Sequence, residues 1–248
     1  MAVQKITLLG VPVHICMPQD FEEEILRLVV KEGPKQIIFL SVWDLLRARG
    51  KNEYAECVWN ADLVLPISKS LLFGAKFLHK KVLYRWNPFE TVINIMTILE
   101  NHYKSVYFLG GRKKTLVAAE RNIHSTFRNL QVVGRYVGYY PKSVEGDVIE
   151  AIRKASPSLV LLSEGVREKD CWAYARKDRF NASIFLYYAD AIGIFSERIM
   201  HISKRTFDKG LEIWTEIFRN PLKIFLVFPF LWYLLCLFWN RLFGRDKS

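Results

Sequence analysis

Short apolar runs alternate along this chain with longer stretches of helical spacing, and that rhythm limits what the chain can fold into. The runs lie at residues 5–9, 11–15, 36–40, 61–66, 105–109, 131–133, 158–162 and 183–187. Between them, residues 18–31, 42–49, 68–78, 88–103, 113–128, 144–155 and 168–179 carry apolar side chains every three to four positions, as one face of a helix does. Gly10 separates the first two runs and predicts two strands paired around a turn. The remaining alternation, with short links, predicts a Rossmann-like α/β fold: a mostly parallel sheet with helices on both faces. In such sheets ligands bind beyond the carboxyl ends of the strands.

The rhythm stops near residue 195, so the chain divides into an α/β domain over 1–195 and an appendage over 196–248. Residues 224–239 read IFLVFPFLWYLLCLFW, sixteen positions without a charge and seven of them aromatic. A helix of that length spans about 24 Å, short of the roughly 30 Å hydrocarbon core of a bilayer, and Pro229 would kink it. From Arg198 onward there are nine Lys or Arg against four Asp or Glu. Trp232, Tyr233 and Trp239 suit the membrane interface, and Arg241, Arg245 and Lys247 suit anionic head groups. A helical appendage that enters or lies on the membrane is therefore expected. A buried core helix is the alternative.

Net charge is +11, which favours phosphate-bearing partners of any kind. The basic excess sits beside a strongly apolar segment, a pairing that favours an anionic membrane surface over nucleic acid. The cysteines Cys16, Cys57, Cys171 and Cys236 form no CxxC pair, which excludes a zinc ribbon or disulfide scaffold. No metal or other cofactor is expected, because the histidines lack ligand spacing and no Asp-x-Asp is present. The opening MAVQKITLLG does not read as a secretory signal, so cytoplasmic exposure is expected.

The best phosphate candidate is residues 108–115, FLGGRKKT. A strand delivers two glycines to a helix start flanked by cations, so backbone N–H groups at Gly110 and Gly111 with Arg112 or Lys113 could hold a pyrophosphate. On this motif alone, a tight strand-to-helix turn with solvated charges is the alternative. It is neither a P-loop nor a GxGxxG fingerprint.

Six segments in order resemble the WecG/TagA/CpsF glycosyltransferases (glycosyltransferase family 26). They are ITLLGVPVHI at 6–15, ADLVLP at 61–66 with Asp62, FLGG at 108–111, VGRYVGY at 133–139, LLSEGVREKDCW at 161–172, and GLE at 210–212 with RNP at 219–221. The resemblance covers nearly the whole chain. It implies metal-independent transfer of an N-acetylhexosamine from a UDP-sugar donor to a lipid-diphosphate-linked acceptor in cell-surface polymer synthesis. It places that transfer at the cytoplasmic face of the cell membrane. The implied donor-binding residues are Gly110, Gly111, Arg112, Gly165 and Lys169. The implied acceptor-binding positions are Ser41, Ser68, Arg85 and His201.

The chain departs from the family pattern at several loop positions. Ile67-Ser68 stands where the family carries an Asp-Gly with the proposed catalytic base, and Phe39-Leu40-Ser41 stands where it has Thr-x-Asn. Lys169-Asp170 replaces Gln-Glu, Arg167 replaces a neighbouring proline, His201 replaces an arginine, and Tyr187, Tyr188 and Asp190 replace small residues. An inverting transfer needs a base, and Asp190 and Asp170 are the carboxylates that could supply one. The alternative is a catalytically inactive relative acting as a membrane-associated binding or partner protein. Self-association, or a membrane-protein partner, is left open by the sequence.

Overall fold

The computed structural model describes residues 3–201, 207 and 227–243. It opens on an antiparallel hairpin, β1 (Gln4–Leu8) and β2 (Val11–Ile15), with Leu8 opposite Val11. The two connecting residues, Leu9 and Gly10, both take positive φ (51° and 82°), as a tight primed turn requires.

The rest of the domain is built on a six-stranded parallel sheet. Its strands are β3 (Lys35–Leu40), β4 (Leu63–Pro66), β5 (Ser105–Leu109), β6 (Gln131–Tyr136), β7 (Leu159–Leu162) and β8 (Ile184–Tyr187), in the spatial order β4-β3-β8-β7-β5-β6. The helices are α1 (Phe21–Val30), α2 (Val42–Ala48), α3 (Glu53–Asn60), α4 (Lys69–Phe77), α5 (Pro88–Asn101), α6 (Lys113–Thr126), α7 (Glu145–Ala155), α8 (Cys171–Tyr174) and α9 (Ala191–Phe195). The C-terminal helix is Val227–Phe243. The expected α/β class and parallel sheet are both present.

The inner strands are apolar on both faces, which is why their sequences read as continuous runs rather than as alternations. Ile37, Phe39, Phe108, Leu161 and Leu186 point to the face covered by α1, α5, α6 and α9. Ile38, Leu40 and Val64 point to the other, beneath the hairpin, α2, α3, α4 and the C-terminal helix. On that same face Tyr107, Val160 and Phe185 lie under α7 and α8.

Two segments differ from the sequence expectation. α3 had no counterpart in the alternation, although Asn52 caps it by accepting from the Ala55 N–H at 2.9 Å. The helix expected over 168–179 is a single turn, α8, followed by a 3₁₀ turn at Lys177–Arg179. Glu168 and Lys169 sit at φ of 64° and 51°, outside the right-handed region, so no helix can start before Asp170. Trp172 supplies the apolar signal by burying fully and donating its indole N–H to the Tyr140 hydroxyl at 2.9 Å.

The C-terminal helix packs on the domain. Tyr233, Cys236 and Leu237 are buried against α2 and α4, sharing a core with Leu45, Leu71 and Ala75. Trp232 and Trp239 face outward, while Tyr233 faces inward and donates to the Ser70 carbonyl. Arg241 donates to the Phe77 carbonyl at 2.9 Å. Arg245 and Lys247 lie outside the described residues, as do the 210–212 and 219–221 segments. Among the described residues no helix is long and apolar enough to cross a membrane.

Candidate functional site

Parallel strands present all their carboxyl ends along one edge, and six loops leave there in strand order. They begin at Ile67 (after β4), Ser41 (β3), Tyr188 (β8), Ser163 (β7), Gly110 (β5) and Val137 (β6). The chain leaves β3 and β7 for α2 and α8 on one face, and leaves β8 and β5 for α9 and α6 on the other. Neighbouring loops therefore diverge along the middle of the edge, the arrangement that opens a ligand crevice in sheets of this kind.

Three glycine-bearing loops are sewn together in one half of that crevice. The Gly110 amide donates to the Tyr136 carbonyl at 3.0 Å, Gly111 to Glu164 at 2.8 Å and Gly138 to Gly111 at 3.0 Å. A Cβ on Gly110 would meet the Ser163 backbone nitrogen at 2.9 Å, and one on Gly138 would overlap the Glu164 carbonyl. Glycine is needed here for close approach of backbone to backbone. The amides of Gly110 and Gly111, read from the sequence as phosphate donors, are thus engaged within the protein. What this half offers a phosphate is its cations. Arg112 lies with its guanidinium 5.3 Å from the Tyr139 ring centre, and Lys169 is exposed on the facing β7 loop with Gly165 at φ 88° behind it.

The other half gathers Ser41, Ser68 and Arg85. The Ser41 hydroxyl and Asp44 carboxylate cap α2 reciprocally, with Ser41 Oγ donating to Asp44 Oδ2 at 2.5 Å and accepting from the Asp44 N–H at 3.2 Å. Ser68 Oγ accepts from the Val42 N–H at 3.3 Å, tying the β4 loop to the β3 loop. Arg85 donates through Nε to the Ile67 carbonyl at 2.8 Å and stacks on Phe207, 3.7 Å from its ring centre. His201 stacks on Phe89 at 5.6 Å. Ile67 itself packs against the apolar core.

The two candidate carboxylates occupy different surroundings. Asp190 is exposed, just past the end of β8 and at the start of α9. Asp170 sits deeper, over the opposite sheet face, its backbone carbonyl accepting from Gln36 Nε2 at 2.6 Å and from Cys57 Sγ at 3.6 Å. Burial first, then the nearby Asp44 carboxylate, pushes the Asp170 carboxyl up to about 8, so it is mostly protonated at neutral pH. Burial followed by the Asp170 and Asp190 charges also raises Tyr187, between them in sequence, to about 12.

Asp62, in the family-like ADLVLP segment, lies at the other edge of the sheet. Its carboxylate accepts from the Gln36 N–H at 2.9 Å and pairs with Lys31 at 2.5 Å, holding the start of β3. A cleft of about 310 Å³ opens beside it, lined by Lys5, His14, Glu24 and Arg27. His14 is buried, and its Nδ1 accepts from the Val64 N–H at 2.9 Å. Burial, with Lys5 nearby, lowers it to about 4. Among the described residues no group of three or more His, Cys, Asp or Glu is placed to hold a metal ion. Nothing in the spacing of Cys57 and Cys171 predicts that they meet; they are neighbouring free thiols beneath Asp170, and the hydrogen bond with Cys171, followed by burial, raises Cys57.

The sequence model of the WecG/TagA/CpsF family of glycosyl transferases matches residues 6–247, nearly the whole chain. The chain belongs to that family. No curated protein matches it. Family membership implies glycosyl transfer in cell-surface polymer synthesis, with a sugar donor and, in general, a lipid-linked acceptor. Members of the WecG/TagA/CpsF family are typically membrane-associated. In this member the family-like FLGG, VGRYVGY and LLSEG loops meet at the carboxyl edge of the sheet.

Proposed function

We propose that this chain transfers an N-acetylhexosamine from a UDP-linked donor to a lipid-diphosphate-linked acceptor at the cytoplasmic membrane face. The carrying observation is the junction of the β5, β6 and β7 loops, with Arg112 and Lys169 beside it and Asp190 beyond the next strand. In this reading Asp190 takes the proton from the acceptor hydroxyl as its oxygen attacks the anomeric carbon. The bond from that carbon to the diphosphate oxygen breaks, and UDP leaves with the negative charge that Arg112 and Lys169 meet. Asp170, mostly protonated at neutral pH, supports the crevice rather than acting as base.

A second reading rests on Ile67 and the glycine amides. An apolar side chain stands at the family's base position and packs into the core, and the Gly110 and Gly111 N–H groups are engaged internally. A relative that binds without reacting fits both facts. Calorimetric titration of UDP and UDP-N-acetylglucosamine into the full chain separates the readings from an empty site, and Asp190→Asn separates them from each other. Transfer requires micromolar nucleotide binding, with turnover lost in Asp190→Asn and binding kept. Binding without turnover in the wild-type chain, across lipid-diphosphate acceptors, favours the second.

A further inference from the structure

We propose that Cys57 and Cys171 are a reversible oxidation site, where hydrogen peroxide joins the two sulfurs in a disulfide that fastens α8 and the β7 loop to α3. The absence of a CxxC pair argues against a disulfide scaffold, but it does not bear on thiols that the fold brings together. All four cysteines are free and buried. A buried thiol in apolar surroundings is inert. Cys57 and Cys171 differ because each has the other as a neighbour.

Two contacts set α3 beside α8. The Cys57 sulfur lies 3.6 Å from the carbonyl oxygen of Asp170, the residue bonded to Cys171, and 3.5 Å from Gln36 Oε1. Gln36 Nε2 donates to the same Asp170 carbonyl at 2.6 Å, so one side chain on β3 holds both partners. One helical turn further on, Asn60 Nδ2 donates to the Tyr174 hydroxyl at 3.3 Å. The hydrogen bond with Cys57 lowers the Cys171 thiol below its usual range, while the same bond and then burial raise Cys57. Cys171 is thereby the nucleophile and Cys57 the protonated partner. Cys171 is also nearer solvent, in a one-turn helix entered through two left-handed residues, so admitting a small oxidant disrupts few helical hydrogen bonds. The Cys171 thiolate attacks one peroxide oxygen, the O–O bond breaks, and hydroxide leaves to take up the proton that Cys171 lost. Cys57 sulfur then attacks the resulting sulfenic sulfur, the S–O bond breaks, and the departing hydroxide takes the Cys57 proton. Both thiols are oxidised and the peroxide is reduced to water. Because Cys171 follows Lys169 and Asp170 directly, the bond restrains the β7 loop. The inference stands apart from the donor reading.

Treatment of the folded full chain with hydrogen peroxide tests it, followed by N-ethylmaleimide in denaturant and peptide mass mapping. The expected product is a Cys57–Cys171 cross-linked peptide that dithiothreitol reverses, with Cys16 and Cys236 recovered as maleimide adducts. In the cross-linked chain, amide exchange over residues 168–176 is expected to slow by about tenfold or more against the reduced chain. Single variants test the two roles. Cys57→Ala should accumulate a dimedone-reactive sulfenic acid on Cys171, whereas Cys171→Ala should leave Cys57 unmodified. Circular dichroism melting checks that both variants fold, and the wild-type mapping needs neither of them. No cross-link in the folded chain, a cross-link formed only after unfolding in urea, or preferred pairing through Cys16 or Cys236 would overturn the oxidation site. Unchanged exchange in the cross-linked chain would overturn the fastening of the β7 loop, and a sulfenic acid on Cys57 in Cys171→Ala would overturn the assigned roles.

Discussion

Tyr233 occupies the space that Gly74 leaves: its hydroxyl stands where a side chain on Gly74 would begin, and it donates to the Ser70 carbonyl one turn earlier on α4. The appendage is thereby keyed into the domain by a fully buried ring. Gly74→Ala must push the C-terminal helix off α4 or distort α4. The expected loss is about 1–3 kcal/mol, the usual range for overpacking a core, read as a lower urea midpoint. Tyr233→Phe keeps the packing, loses one hydrogen bond and should cost about 1 kcal/mol. A Gly74→Ala chain as stable as wild type would mean that the helix does not dock there.

Removing residues 222–248 would uncover Leu71 and Leu78, buried in the cluster that Tyr233 and Leu237 complete. The truncated chain is expected to self-associate in size-exclusion chromatography, whatever its affinity for lipid. A monomeric, fully stable truncation would contradict the packing described.

His14 and Asp170 give opposite pH dependences. His14, lowered to about 4, binds its proton more readily when unfolded, so its contribution is full above pH 6.5 and is lost as pH falls toward 4. That swing is about 3 kcal/mol for a shift of this size. Asp170, raised to about 8, keeps its proton when folded, so stability declines as pH rises from about 4 to 8. Between pH 4 and 6.5 the two slopes oppose each other. Asp170→Asn should therefore unmask a stability that rises with pH through that window, and should gain on wild type most at pH 8. Urea midpoints across pH 4–9 check this. An Asp170→Asn profile parallel to wild type would contradict it.

Gly138 lets the β6 loop lie on the Glu164 carbonyl, where a Cβ would overlap it. Gly138→Ala should part the β6 and β7 loops and weaken UDP binding at least tenfold, with a far smaller effect on the melting temperature. Unchanged nucleotide affinity would separate this junction from the donor site.

The sheet was legible in the sequence because parallel strands covered on both faces are short, uniformly apolar and flanked by turn residues, as Leu159–Leu162 shows. α3 was not, since Tyr54, Ala55, Cys57 and Val58 make a short apolar face with only an Asn cap to announce it. The helix expected over 168–179 failed because the apolar signal of Trp172 comes from burial within a loop held by positive φ at Glu168 and Lys169. The glycine loops are legible in the sequence, but the use of their amides is not. Only the fold shows that Gly110 and Gly111 donate to Tyr136 and Glu164. The aromatic run alone puts Tyr233 outward with Trp232, yet adjacent residues on a helix point about 100° apart, and the packing on Gly74 selects which one turns in.

The most direct test of the donor site is calorimetric titration of UDP-N-acetylglucosamine into the full-length chain, held folded in lipid nanodiscs. The account predicts a Kd in the micromolar range that weakens at least tenfold in Arg112→Ala and is kept in Asp190→Asn. A folded sample that binds no nucleotide at millimolar concentration would contradict it.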